Sequence, residues 1–228
     1  MIAKLLGWHE LGPGTRHFDF EIPGWDGRFV PGQFVSLKSS HDGAEITRAY
    51  SIASAPGGPN FALCANLVPD GKFTPFLFAM QPGDEVSVPA ILGTFTLRPN
   101  PPDSIFVATG TGIAPFRSIL LAQLEANPSA RFVLVFGNRY PSGLFYDAEL
   151  RALHARFPNF DYLPTVTRPD ATWHGRAGRV HDHVLALLGD RRDIDVYICG
   201  LRDMVDELRG KLKAIGLDRK RMVYERYD

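Results

Sequence analysis

Gly110-Thr-Gly-Ile-Ala-Pro115 follows the apolar run Ile105–Thr109 without a gap and leads into a helical pattern. Small residues at a strand-to-helix turn let backbone approach a pyrophosphate, and the free amides and positive dipole end of a helix favour an anion. Pro115 suits a first helical turn. A Gly-Thr-Gly turn equally serves as a tight connection, and the third glycine of the common dinucleotide fingerprint is missing.

Fifteen of the 19 arginines lie beyond residue 100, and several fall where a phosphate could be gripped. Asn138 and Arg139 follow the second strand of that half, where many dehydrogenases place an acid against the ribose 2′-hydroxyl. A donor and a positive charge there suit a 2′-phosphate instead. Arg168, Arg176 and Arg179 are further candidates for bidentate phosphate contact, and each reads equally well as solvated surface.

In the first half, alternation along Arg48-Ala-Tyr-Ser51 sends Arg48 and Tyr50 to one face and Ala49 and Ser51 to the other. A cation beside a phenol could hold a phosphorylated, ring-bearing ligand or make a cross-strand surface pair. Gly71-Lys-Phe-Thr74 precedes a short helix, so Gly71, Lys72 and Thr74 offer either a second anion site or an N-cap. Two phosphate cradles, one per half, point to two nucleotides meeting between domains. Cys199 ends an apolar run, which places it at the ligand-binding edge of a parallel sheet. His181 and His183 lack a third ligand of suitable spacing, so no metal site is expected.

The elements that must position these residues change character near residue 100. Before it, short alternating runs (residues 16–22, 33–38, 48–53, 61–67 and 84–88) are separated by Gly and Pro, which argues an antiparallel β-barrel or sandwich with one helix near 73–80. After Arg98-Pro-Asn-Pro-Pro102, compact apolar strands alternate with helices at 116–126, 146–156, 179–188 and 202–215. That is the pattern of an α/β parallel sheet covered by helices on both faces. Two domains, 1–100 and 101–228, are therefore expected.

Lys plus Arg and Asp plus Glu both count 25, which excludes a bulk polycation for nucleic acid. Residues 1–100 carry 7 basic and 9 acidic side chains, and residues 101–228 carry 18 and 16. Two cysteines cannot form a four-thiolate cluster or a disulfide scaffold, and no apolar window is long enough to span a membrane. A cytoplasmic, monomeric protein is the expectation.

Arg48-Ala-Tyr-Ser-Ile-Ala-Ser54, Gly71-x-x-Thr74, Gly110-Thr-Gly-Ile-Ala-Pro-Phe116, Cys199-Gly-Leu-Arg-Asp-Met204 and Tyr224-Glu-Arg-Tyr227 stand in an order and spacing that resembles the ferredoxin–NADP reductase family across nearly the whole chain. The resemblance implies an FAD-binding barrel and an NAD(P)-binding α/β domain. It further implies that Arg48 contacts the FAD pyrophosphate, Tyr50 packs on the isoalloxazine and Ser51 bonds near flavin N5. Gly71, Lys72 and Thr74 would cradle the FAD phosphates. Thr109, Gly110, Thr111, Gly112, Pro115 and Gly200 would lie along the nicotinamide dinucleotide, with Cys199 beside the nicotinamide. Glu225 would assist proton movement and Tyr227 would stack on the other flavin face, with Asp228 following it. A family lysine for the 2′-phosphate has no counterpart, so preference for NADP over NAD rests on Arg139, Arg168, Arg176 and Arg179.

The function implied is hydride transfer between NADPH, or NADH, and bound FAD. Single electrons would then pass to a separate ferredoxin, flavodoxin or oxygenase component, since no iron–sulfur domain is fused. A reductase of free flavin and a non-catalytic regulatory or assembly subunit are the alternatives.

Overall fold

The structure, a computed structural model, describes residues 1–41 and 43–227. Asp228, which follows the aromatic residue singled out above, lies outside the described residues.

Six strands build the first half: β1 (Ile2–Gly12), β2 (Thr15–Glu21), β3 (Phe34–His41), β4 (Ala44–Ser51), β5 (Asn60–Asn66) and β6 (Glu85–Leu92). They pair antiparallel in the order β4-β3-β6-β1-β2-β5. An Ile52–Leu63 bridge and the Ala53 N–H to Ala62 carbonyl bond (2.8 Å) join the two edges, so the sheet curls into a barrel. Its interior is apolar, with Leu5, Phe18, Phe20, Val35, Leu37 and Leu63 at 0% exposure. The single helix here, α1 (Thr74–Ala79), plugs one end with Leu77.

The second half carries six parallel strands in the order β10-β9-β8-β7-β11-β12. These are β7 (Ser104–Thr109), β8 (Phe132–Asn138), β9 (Phe160–Val166), β10 (Arg176–Ala177), β11 (Asp195–Leu201) and β12 (Met222–Tyr227). Helices α2 (Ile113–Gln123), α3 (Asp147–Arg156), α4 (Val180–Leu188) and α5 (Arg202–Ala214) connect them. Pleat alternation sorts the faces: Phe106 and Ala108 pack with α2 and α3, while Ile105 and Val107 pack with α4 and α5. Strand order reverses between β7 and β11, and a crevice opens beyond the carboxyl ends of strands at such a point.

The core under α2 and α3 continues into the barrel, since Ala53, Cys64 and Phe95 belong to it. Polar contacts cross the same seam. Arg117 on α2 donates to the Ala53 carbonyl (2.6 Å), grips Glu149 through two nitrogens (2.7 and 2.9 Å) and lies over the Tyr146 ring. The Tyr146 hydroxyl meets His17 Nδ1 at 2.9 Å and the Cys64 thiol, and His17 Nε2 meets Asp19 at 3.0 Å. Burial pushes the Cys64 thiol up to about 12 and lowers His17, so both are neutral at physiological pH. Tyr146 holds a left-handed backbone (φ 59°), a conformation that costs a non-glycine residue about 1–2 kcal/mol and persists here because its side chain is fixed between the halves. At the opposite end of the sheet, the buried Asp195 carboxylate takes Arg98 from the connection (3.3 Å) and Arg221 (3.0 Å).

Candidate functional site

Four of the side chains singled out in the sequence converge where the barrel meets the crevice. Ser51 ends β4, Cys199 lies near the end of β11, and the β11–β12 register puts Glu225 beside Cys199 and Tyr227 beside Leu201. The Tyr227 hydroxyl donates to Ser51 Oγ at 2.6 Å, and Ser51 Oγ donates to Glu225 Oε1 at 3.4 Å. The Cys199 thiol lies against the Tyr227 hydroxyl. Burial raises the Cys199 thiol well above its ordinary value, with the nearby Glu225 carboxylate adding to the shift. A neutral thiol is a small apolar wall rather than a nucleophile. Burial likewise raises Glu225, only partly offset by its bond from Ser51, so this carboxyl holds a proton more readily than an exposed glutamate.

The turn after β7 is a single 3₁₀ turn, Gly110–Gly112, running into α2. Gly110 has φ 56°, and a Cβ there would meet nothing within 4 Å. Its α-carbon faces open space at the head of a groove of about 950 Å³ that Thr109, Arg139, Arg179, Glu207 and Tyr227 also line. A smaller hollow of about 340 Å³ carries the groove past Thr111 to Thr15 and Asn66 of the barrel, with Tyr227 in both walls. Pro115 sits in the first turn of α2 and is buried.

Gly112 and Gly200 also make close approaches within the protein itself. A Cβ on Gly112 would lie 2.4 Å from the Cys199 carbonyl oxygen, and one on Gly200 would lie 2.2 Å from Thr109 Oγ1. Both are small because the turn after β7 packs directly on β11. Gly71 is constrained in the same way, by the Val68 carbonyl at 2.9 Å. Thr74 is the first residue of α1, and its hydroxyl accepts from the Val68 amide (2.9 Å) and donates to the Val68 carbonyl (3.2 Å). It is neither an N-cap nor a free donor; Lys72 beside it remains exposed.

The arginines separate. The Arg139 guanidinium has no partner among the described residues and lines the groove. Arg168 is outside the groove lining; its amide bonds the Arg139 carbonyl (2.8 Å) and its guanidinium the Tyr140 hydroxyl (3.2 Å). Arg179 lines the groove but is paired with Glu207 at 3.1 Å. Arg176 lies on the edge strand β10, outside the groove lining. Asn138 lines the groove with part of its amide already engaged: one N–H bonds the Gly143 carbonyl (2.6 Å) and the oxygen takes the Arg139 amide (2.7 Å), which leaves its second N–H for a ligand. Sequence reasoning missed Tyr140 and Glu207. Tyr140 directly follows Arg139, a signal that could have been used, whereas Glu207 reaches Arg179 only through tertiary packing.

On the barrel flank Arg48 is exposed, with its guanidinium on the Thr47 carbonyl (2.9 Å). Tyr50 is half-buried against Phe73 at 5.8 Å, which brings this strand face beside the 71–74 loop. Burial pushes the Tyr50 phenol up to about 12. A half-buried phenol near a cation, with Ser51 next to it in the chain, fits a flavin nucleotide. In the groove, the Thr109 hydroxyl is buried with no hydrogen-bond partner among the described residues, directly beside Gly110. An orphaned buried hydroxyl, open space over a glycine and an unpartnered Arg139 fit a dinucleotide phosphate and ribose. Among the described residues no group of three His, Cys, Asp or Glu could hold a metal, and no helix is long and apolar enough to cross a membrane.

Residues 3–97 match the oxidoreductase FAD-binding domain model, and residues 106–209 match the oxidoreductase NAD-binding domain model. Ferredoxin–NADP reductase B of Sorangium cellulosum is 37% identical over 99% of this chain and 97% of its own length. The toluate 1,2-dioxygenase electron transfer component of Pseudomonas putida is 30% identical over 87% of the chain, which spans 59% of that larger protein. Among solved structures, a ferredoxin–NADP⁺ reductase from Neisseria gonorrhoeae with bound FAD and NADP superposes with a TM-score of 0.85 at 25% identity, covering 99% of this chain and 98% of that one.

Proposed function

The chain belongs to the ferredoxin–NADP reductase family of FAD- and nicotinamide-binding oxidoreductases, and from that premise we propose that it takes reducing equivalents from NADPH, or from NADH, and delivers single electrons to a separate ferredoxin, flavodoxin or oxygenase component. The observation that carries the proposal is the meeting of Ser51, Cys199, Glu225 and Tyr227, drawn from both halves, with Tyr227 lining the groove.

Bound FAD supplies the conversion between a two-electron hydride and single electrons. The protein supplies placement. Donor and acceptor carbons and nitrogens must be held about 3–3.5 Å apart and aligned, so small side chains at the contact are required. Ser51 and Cys199 meet that requirement. Arg48 and Lys72 bring positive charge to the FAD pyrophosphate, and Tyr50 offers its ring to the isoalloxazine. Thr109, Gly110 and Thr111 line the path of the nicotinamide dinucleotide, while Arg139, whose carbonyl takes the Arg168 amide, binds the 2′-phosphate together with Arg179. Glu225, with its raised proton affinity and its bond to Ser51, is placed to hold or pass a proton at the Ser51 hydroxyl. Tyr227 closes the contact from the groove side.

Rapid mixing of the FAD-loaded protein with NADPH and with NADH tests this reading. Bleaching of the flavin followed by reoxidation with an oxidised ferredoxin or flavodoxin is expected, and Cys199→Ala should slow bleaching while FAD stays bound. Colourless protein that loses FAD on gel filtration yet reduces added FMN would place it among free-flavin reductases instead.

A further inference from the structure

Arg179 sits at the start of α4 with its guanidinium directed to Glu207 on α5, Nη1 to Oε2 at 3.1 Å, and both line the groove. Glu207 is shared: Lys211 Nζ reaches its other oxygen at 3.1 Å, and His181 Nε2 lies 4.0 Å away. The neighbouring cation Arg139 has no such partner among the described residues. Of the arginines that line the groove, which include Arg202, Arg139 is thus available to an anion whereas Arg179 is already paired. The pair is open to water, with Arg179 at 69% and Glu207 at 39% side-chain exposure, so it is weak enough for a strong anion to break.

We propose that Glu207 sets how strongly the groove prefers NADPH over NADH, by competing with the nucleotide's 2′-phosphate for Arg179. The proposal rests on the reading of Arg179 as a phosphate contact. A phosphomonoester entering the groove must displace the carboxylate from Arg179 and then tolerate its charge close by. NADH, which lacks that phosphate, meets neither penalty. Lys211 keeps Glu207 in place once Arg179 has turned to the ligand, so the carboxylate remains a standing charge at the wall.

The test is a cycle of Glu207→Gln, Arg179→Ala and the double variant, read by calorimetric binding of 2′,5′-ADP and of 5′-AMP and by kcat/KM for both nucleotides. Glu207→Gln should tighten 2′,5′-ADP by about three- to fivefold, the range of an exposed ion pair, and raise the NADPH to NADH ratio of kcat/KM by a similar factor through KM. The gain should vanish in the Arg179→Ala background. Glu207→Asp, which keeps the charge, should return most of the parent ratio. If Arg179→Ala weakens 2′,5′-ADP but Glu207→Gln leaves it unchanged, the role of Glu207 is overturned while the phosphate contact stands. If Arg179→Ala affects 2′,5′-ADP and 5′-AMP alike, the phosphate contact itself is wrong. A gain that persists without Arg179 would also overturn the competition, leaving only a general field of the carboxylate.

Discussion

Replacing Thr109 by valine separates two effects that ordinary damage would couple. The Thr109 hydroxyl is buried beside Gly110 and Gly200 with no hydrogen-bond partner among the described residues. Valine keeps the shape and the preference for strand while removing the stranded polar atom. An unpaired buried hydroxyl costs about 1–3 kcal/mol. Thr109→Val should therefore stabilise the nucleotide-free protein by about 1–2 kcal/mol, which for a chain of this size raises Tm by about 2–8 °C. If the hydroxyl exists to bond the dinucleotide, the same change removes one neutral hydrogen bond of about 0.5–1.5 kcal/mol and weakens NADP⁺ about two- to tenfold. Calorimetric melting without nucleotide and fluorescence titration with NADP⁺ read the two quantities separately. A variant that melts lower than the parent, or binds NADP⁺ equally well, would refute the assignment of Thr109 as an unfilled ligand contact.

Arg48→Ala should release FAD, because a charge-assisted phosphate contact contributes about 1.5–3 kcal/mol, so the dissociation constant should rise at least tenfold; full FAD occupancy after dialysis would exclude the contact. Glu225→Gln should change the pH dependence of stability with a definite sign. Its folded pKa is raised above 4.5, so the folded state binds the extra proton and Glu225 costs stability as pH rises through that folded value. Relative to the parent, the glutamine variant should gain Tm at pH 7–8 and gain little near pH 4, and an equal gain at both would remove burial of the charge as the cause.

Most strands could be read from alternation and turn residues because their faces differ in burial. In β2, for example, Phe18 and Phe20 face the interior while Asp19 between them does not. The first strand, β1, escaped notice since it is apolar on both faces: Ala3 and Leu5 are buried, yet Ile2 and Leu6 are 50% and 44% exposed. The two-residue β10 carries too little pattern to be seen. The helix after the glycine turn begins at Ile113, three residues before the Phe116 expected, because Pro115 is tolerated inside a first turn whose amides need no intrahelical acceptor. At the site, motif order sufficed to pick out Ser51, Cys199, Glu225 and Tyr227. It could not reveal that a side chain on Gly112 or Gly200 would also strike the protein's own atoms, nor that Asn138 spends one amide N–H on the Gly143 carbonyl. Those facts depend on close approaches between segments, which no local pattern encodes.

The seam through Arg117, Tyr146, His17 and Cys64 makes the two halves poor candidates for separate existence or exchange. Cut in the connection after Arg98, the α/β piece would present the open side of its core, with Arg117 and Glu149 facing a vanished Ala53 and Tyr146 free to leave its left-handed backbone. The barrel piece would expose Cys64 and Phe95 at the same time. A chimera that grafts a different flavin barrel onto this nucleotide domain would thus need to carry over the residues facing 117 and 146 as a set, and lineages that shuffle such domains should inherit that set together or lose the joint.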